Sequence, residues 1–575
     1  MSRGHGKTEV GQLVLTSATP PGNIGMYAMD DRTIGVVGRL ACVDQATRAV
    51  SSVVTATTDP ITGRGVFQGT FCSWDEVFVI GGQSNADGRG VMDSSASPQS
   101  PNVLMIDKGE NIKIAVEPLG EQVAGWINNI PSGASAGIPA HSFGLMMGKA
   151  IAQITGVRPM LVPCAIGSTS FAMWEIPADP LDRTTLFGAM NYRSHRVKVA
   201  DRQPVFCWSG HETGISEASE TMATGQLGYL YYVRLAKLFS SIRTYYPDAP
   251  IIYAQLSTTN DGSGATAQRK AGNQQRLIES DGTGDTPTLV AGSLAITALG
   301  VNATNTIAIS GSSVTMIGDG GTSLGFTVNT PATVSGKIYA LKMTVTGDGR
   351  YKVTDATGND YIAALSAENE RTIIFNAATN LFRIYRYAAA EPTNLVFTII
   401  SIHEMTTFQT DNTYMVVTHD VPRNAGADNQ HISTEGNKEI GRRFALAYAE
   451  RVLKLPGVDG TGPRLVSVTS TDATHTKVKF TQDLAAAKSG ETNYSDGTNS
   501  LLRVYDDGTE KSVSSVAIDG ADSTALTITH ASCSGVRCVT YGDRPGQDAA
   551  WRKGVIYNTL DLPLPAPMFG PVVTP

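Results

Sequence analysis

Several things are scarce in this chain of 575 residues, and each scarcity closes a door. Basic excess is missing: 45 Lys and Arg stand against 52 Asp and Glu, a formal charge of -7, so nothing offsets the phosphates of a nucleic acid. Long apolar runs are missing too, and no stretch nears the ~20 residues that a membrane-spanning helix requires. Cysteine is sparse: Cys42, Cys72, Cys164, Cys207, Cys533 and Cys538 are scattered over the whole length, which is not a disulfide framework. Only Cys533 and Cys538 lie close enough in sequence to form a local bridge, and free thiols are the expectation. Neither a Cys/His zinc spacing nor a phosphate-binding Gly-rich loop occurs, so no metal or cofactor is implied. The polar stretch Met1–Leu15 has no apolar core like that of a secretion signal, and export by that route is not expected.

What is present is a folded-protein composition, 41% hydrophobic and 17% charged, in two alternating textures. From about 73 to 285, short continuous apolar runs (Val77–Ile80, Met160–Ala165, Val205–Trp208, Ile251–Ala254) alternate with helical patterns over Phe143–Thr155 and Gly228–Tyr246. Unbroken apolar strands between helices indicate a parallel sheet covered on both faces, an α/β domain. From 286 to 404 the texture becomes alternating Thr, Val and Ile broken by Gly, Asn and Asp, which predicts an all-β module of sandwich type. The first texture returns over 405–455, with a strand at Tyr414–Val417 and a helix over Ile440–Leu453. The β module is therefore read as an insertion into the α/β domain. Residues 1–72 and 456–575 read as flanking N- and C-terminal β regions.

Two polar segments stand where an α/β sheet carries its chemistry. Gly81-Gly82-Gln83-Ser84-Asn85 directly follows the strand Val77–Ile80, at the carboxyl end where ligands bind in such sheets. Taken alone, Ser84 is an ordinary capping serine in a strand-to-helix turn. Asp428-Asn-Gln-His431 precedes the last helix, and a histidine can take a proton from a hydroxyl nucleophile near neutral pH. Alone, it too is an ordinary polar loop, with Ser433 or Thr434 capping the helix. His141 and His195 read as solvated loop histidines. His419 and Asp420, being adjacent, cannot form a base pair of triad geometry and read as structural.

Together the two segments resemble SGNH hydrolases, and more narrowly the carbohydrate acetylesterase branch that includes sialate O-acetylesterase-like enzymes. Ala165-Ile-Gly167-Ser-Thr-Ser170, followed by Trp174, resembles the branch's second block, and Phe206-Cys-Trp208-Ser-Gly-His-Glu212 its third. The resemblance covers about 75–285 and 405–455. It implies a flavodoxin-like three-layer domain and a serine esterase with Ser84 as nucleophile, His431 as base and Asp428 orienting the ring. It further implies an oxyanion hole from the N–H groups of Ser84 and Gly167, and a pocket that includes Gln83, Asn85, Trp174 and Glu212. One departure is visible: Gly210 stands where the branch usually has a Gln donor, which leaves the third donor open between His211, a backbone N–H and another side chain. The substrate implied is an O-acetylated carbohydrate. Several β modules around a hydrolase, with no secretion signal, suggest a bacterial surface polysaccharide and a homotrimeric phage tail spike. The rival readings are a non-catalytic glycan-binding virion protein on an esterase fold, or a lipase or thioesterase of the same fold.

Overall fold

The computed structural model describes most of the chain from Trp74 onward and short strands before it. The main segments outside the described residues are 93–99, 120–126, 129–139, 211–227, 257–271, 280–287, 425–430, 486–500 and 543–554. Asp428, His211 and Glu212 fall in these segments. The chain divides into two compact units. The first comprises Met1–His211, Ser241–Ala254 and Val421–Gly460; the second comprises Glu212–Ser240, Gln255–Asp420 and Thr461–Pro575.

The first unit holds a mixed sheet. The strands this unit contributes to it are β1 (Glu76–Gly82), β2 (Leu104–Ile106), β3 (Ile112–Ile114), β4 (Pro159–Pro163), β5 (Val205–Ser209) and β6 (Ile251–Ala254), side by side in the order β6-β5-β1-β4-β2-β3. All pairs are parallel except β2 with β3. Every residue of β1, β4, β5 and β6 is buried, as strands covered on both faces must be. The helices of this unit are α1 (Ser84–Asp87), α2 (Gly144–Thr155), α3 (Leu186–Val197) and, late in the chain, α5 (Thr434–Ala447); α4 (Gly228–Tyr245) precedes β6. α2 and α5 approach closely because Gly441 has no side chain: a Cβ there would sit 2.6 Å from the carbonyl oxygen of Phe143. Phe143 and Phe444 then stack with centroids 4.8 Å apart. The α/β class read from the apolar runs is thus found.

α5 begins six residues earlier than the apolar pattern from Ile440 predicts. Its first turn is polar, and the helix is started there by Ser433, whose hydroxyl accepts the Gly436 N–H. A π turn over Tyr448–Val452 follows.

The second unit is rich in β structure. Between Thr288 and Met405, nine strands form one hydrogen-bonded sheet, including two long strands, Ile338–Asp355 and Asp360–Asn376. Leu341, Met343 and Val345 are buried while Lys342 and Thr344 between them are half-exposed, the alternation of a sheet with one wet face. Phe326 and Phe397 lie on strands that are not neighbours, yet their centroids are 5.4 Å apart. The two layers expected of a sandwich are therefore halves of one bent sheet, with bulges such as that at Lys342/Met343 allowing the bend. Beyond Thr461, two four-stranded antiparallel sheets enclose a core that includes Val478, Leu526, Val539 and Tyr541. Cys533 and Cys538 in this region are free thiols.

Candidate active site

The site forms where β1 ends. β4 and β5 flank β1 in parallel, so all three chains leave the sheet at the same edge. Two glycines are needed to leave β1 as this chain does. A Cβ on Gly81 would meet the Trp208 ring at 2.5 Å, and one on Gly82 would lie 2.0 Å from the Ser209 carbonyl oxygen. Gly82 also has φ +125°, a conformation that side chains oppose. The turn delivers Ser84 as the first residue of α1, with 6% of its surface exposed.

His431 meets it from the other end of the unit's sequence. Its Nε2 lies 3.0 Å from Ser84 Oγ. The neighbouring residue is tied to the same turn: the Ile432 N–H donates to Asn85 Oδ1 at 3.0 Å. Asn85 is 2% exposed, so its amide serves the loop that carries the histidine. On the α5 side, Asn437 Nδ2 donates to the carbonyls of Ile432 and His141. The capping serine Ser433 and His431 therefore belong to one construction, the loop that enters α5. His141, expected in solvent, is fully buried and pairs through its backbone with Gly90. His195 is also no free loop residue. It lies in the last turn of α3, 5.5 Å from the Tyr246 ring, and burial lowers its pKa.

Gly167 follows β4 on a segment stitched to β1: the Cys164 N–H donates to Ile80 O at 2.8 Å and the Ile166 N–H to Gly82 O at 3.3 Å. Thr169 Oγ1 closes the turn on Ile166 O, and Trp174 Nε1 donates to that hydroxyl at 3.2 Å. Trp174 is 1% exposed and packs edge-on against Trp208, centroids 5.0 Å apart. It thus holds the Gly167 turn from a buried position. Gln83 is likewise buried. Gly210 has φ +79°, which gives its position a backbone reason to be glycine.

Sequence reasoning missed two buried carboxyls near these elements. Burial raises the pKa of Asp87 to about 7 against the opposing pull of the Arg89 guanidinium, 2.9 Å away. Burial likewise raises that of Glu117 to about 7, although its oxygens accept from the Leu119 N–H and the Ser142 hydroxyl. Neither residue sits in a recognisable pattern, so only tertiary packing reveals them. Because both values are raised in the fold, the native state binds more protons than the unfolded chain between about pH 4 and 7. Stability is then greatest below about pH 4 as far as these groups are concerned, and is lost as pH rises through 7. Denaturant titrations should therefore find the Asp87→Asn/Glu117→Gln variant less dependent on pH between 5 and 8, by roughly 1–3 kcal/mol. Equal pH slopes in both proteins would refute the assignment. Among the described residues, no three His, Cys, Asp or Glu side chains cluster as metal ligands, and no helix is long and apolar enough to cross a membrane.

A serine hydroxyl held against an imidazole at the carboxyl edge of a parallel sheet is the arrangement of an α/β ester hydrolase. Residues 75–289 match the family described as carbohydrate esterase, sialic acid-specific acetylesterase. The protein is a carboxylic ester hydrolase of the carbohydrate acetylesterase class. Among solved structures, the chain is similar to a carbohydrate acetylesterase from Xanthomonas citri, at 12% identity and a TM-score of 0.46, over 88% of this chain and 82% of that one. It is also similar to a protein from Arabidopsis thaliana, at 13% identity and a TM-score of 0.35, over 66% of this chain and 99% of the other. A third similarity is to NanS, at 16% identity and a TM-score of 0.26, over 36% and 77%. No curated protein matches the chain.

Proposed function

We propose that the protein removes O-acetyl groups from a polysaccharide through an acyl-enzyme on Ser84. The observation that carries this reading is the 3.0 Å approach of His431 Nε2 to Ser84 Oγ. His431 takes the hydroxyl proton as Oγ attacks the acetyl carbonyl, and Asp428 holds the ring tautomer and stabilises its charged form. The N–H groups of Ser84 and Gly167 receive the oxyanion, with His211 as third donor; such donors are typically worth ~3–4 kcal/mol each. Collapse of the tetrahedral intermediate returns the proton to the departing sugar hydroxyl. Water, deprotonated by His431, then releases acetate and restores Ser84.

In the same reading the α/β part is a flavodoxin-like three-layer SGNH domain made of 73–285 and 405–455. The module at 286–404 and the regions 1–72 and 456–575 serve to hold the polymer. A bacterial surface glycan as substrate, and a homotrimer on a virion as the working form, are supported by the several all-β modules around one hydrolase. The test is acetate release from O-acetylated bacterial polysaccharides, alongside p-nitrophenyl esters of short and long acids. Release of acetate from polymer, with acetyl preferred over long acyl esters, is the expected result. Preference for long acyl chains would turn the reading to a lipase, and glycan binding without any ester turnover would turn it to a binding protein.

A further inference from the structure

His431 can act only if its loop is held against the nucleophile turn, and one residue joins the two outside the pairs already described. Asn424 lies seven residues before His431, and its backbone N–H donates to His431 O at 2.9 Å. Its side-chain Nδ2 donates to the carbonyl oxygen of Arg89 at 2.8 Å. Arg89 is itself fixed. Its guanidinium pairs with Asp87 Oδ2 at 2.9 Å and bonds the Gly88 carbonyl oxygen at 2.6 Å, and the two side chains are 9% and 0% exposed. Asp87 closes the short helix that Ser84 opens. The antiparallel bridge of Arg423 with Ile432, and the Ser433 N–H bond to Pro422 O, set residues 422–424 alongside 431–433. The base is thus gripped on two sides: Asn85 takes the N–H after His431, and Asn424 takes its carbonyl oxygen.

We propose that Asn424 is a positioning residue for the hydrolysis, locking the His431 loop to the Ser84 turn through its side-chain bond to Arg89. The proposal rests on His431 acting as the base of Ser84. Asn424 touches neither reacting atom. Its amide adds a tie to the Ser84 turn beyond those made by Asn85 and Asn437, and misplacement by about 1 Å can cost a reaction up to ~10²-fold. Because Asn424 is half-exposed, its side chain can be cut back without opening the core.

The experiment compares Asn424→Ala and Asn424→Asp with the wild type on p-nitrophenyl acetate and in labelling by a fluorophosphonate, which reports the reactivity of Ser84 without substrate binding. Asn424→Asp keeps the volume but sets an acceptor against the Arg89 carbonyl. Both variants should lose about tenfold in kcat with KM within about twofold, and both should label more slowly by a similar factor. Normal kcat in both variants overturns the proposal. So does an Asp variant with normal turnover, since volume and not the donor would then matter, or an effect confined to KM. Should Asn424→Ala lose thermal stability, the Asp variant decides the matter. Ser84→Ala run in the same assay separates the two levels. If it is inactive while Asn424→Ala is normal, only the positioning role falls; if it is active, the underlying esterase reading falls.

Discussion

Ser84→Ala is expected to lower ester turnover at least ~10³-fold while leaving the fold intact. The oxygen removed is the atom facing His431 at 3.0 Å, and the residues beside it in the chain offer no hydroxyl: residue 83 is Gln, 85 is Asn and 86 is Ala. The fold should survive because the change deletes one atom at the edge of the sheet. The backbone turn is set by Gly81 and Gly82, not by the serine. Steady-state kinetics on a soluble acetyl ester, with circular dichroism as the check on folding, measure it. Turnover within tenfold of wild type in a folded variant would remove Ser84 from the mechanism.

His431→Ala should fall almost as far, and the double variant Ser84→Ala/His431→Ala little further than either alone. Nucleophile and base act as a unit: without the imidazole the hydroxyl keeps its proton, and without the hydroxyl the imidazole has nothing to deprotonate. The residual rate comes from binding and from oxyanion donors that neither change touches. The loss should appear in kcat, since the ring contacts the reacting oxygen. Multiplicative losses in the double variant would mean that the two side chains act independently, and the pairing would then have no catalytic meaning.

The resemblance to an esterase branch could be read from short, ordered blocks because each block is a local necessity. Gly81-Gly82 must precede Ser84 for the turn to clear Trp208 and Ser209, and the loop ending at His431 must also cap α5 through Ser433. The strands were equally legible, since a strand buried on both faces has to be apolar throughout. The polar start of α5 was not, because capping there overrides the apolar pattern that begins at Ile440. The burial of His141 was not legible either, for it follows from the Gly90 pairing and from Asn437, 296 residues away.

The sequence by itself determined which chemical groups are available and which strand ends and loops carry them. It also determined the α/β class, through runs of apolar residues whose periodicity is a property of neighbours along the chain. Only the tertiary structure decided that Ser84 and His431 meet, that Asn85 serves the base loop, and that Asp87, Arg89 and Asn424 bind the two halves of the site. The reason is physical. Hydrogen bonds between residues 335 to 347 positions apart leave no period and no local propensity in the sequence, because only the packing of the sheet brings them within 3 Å.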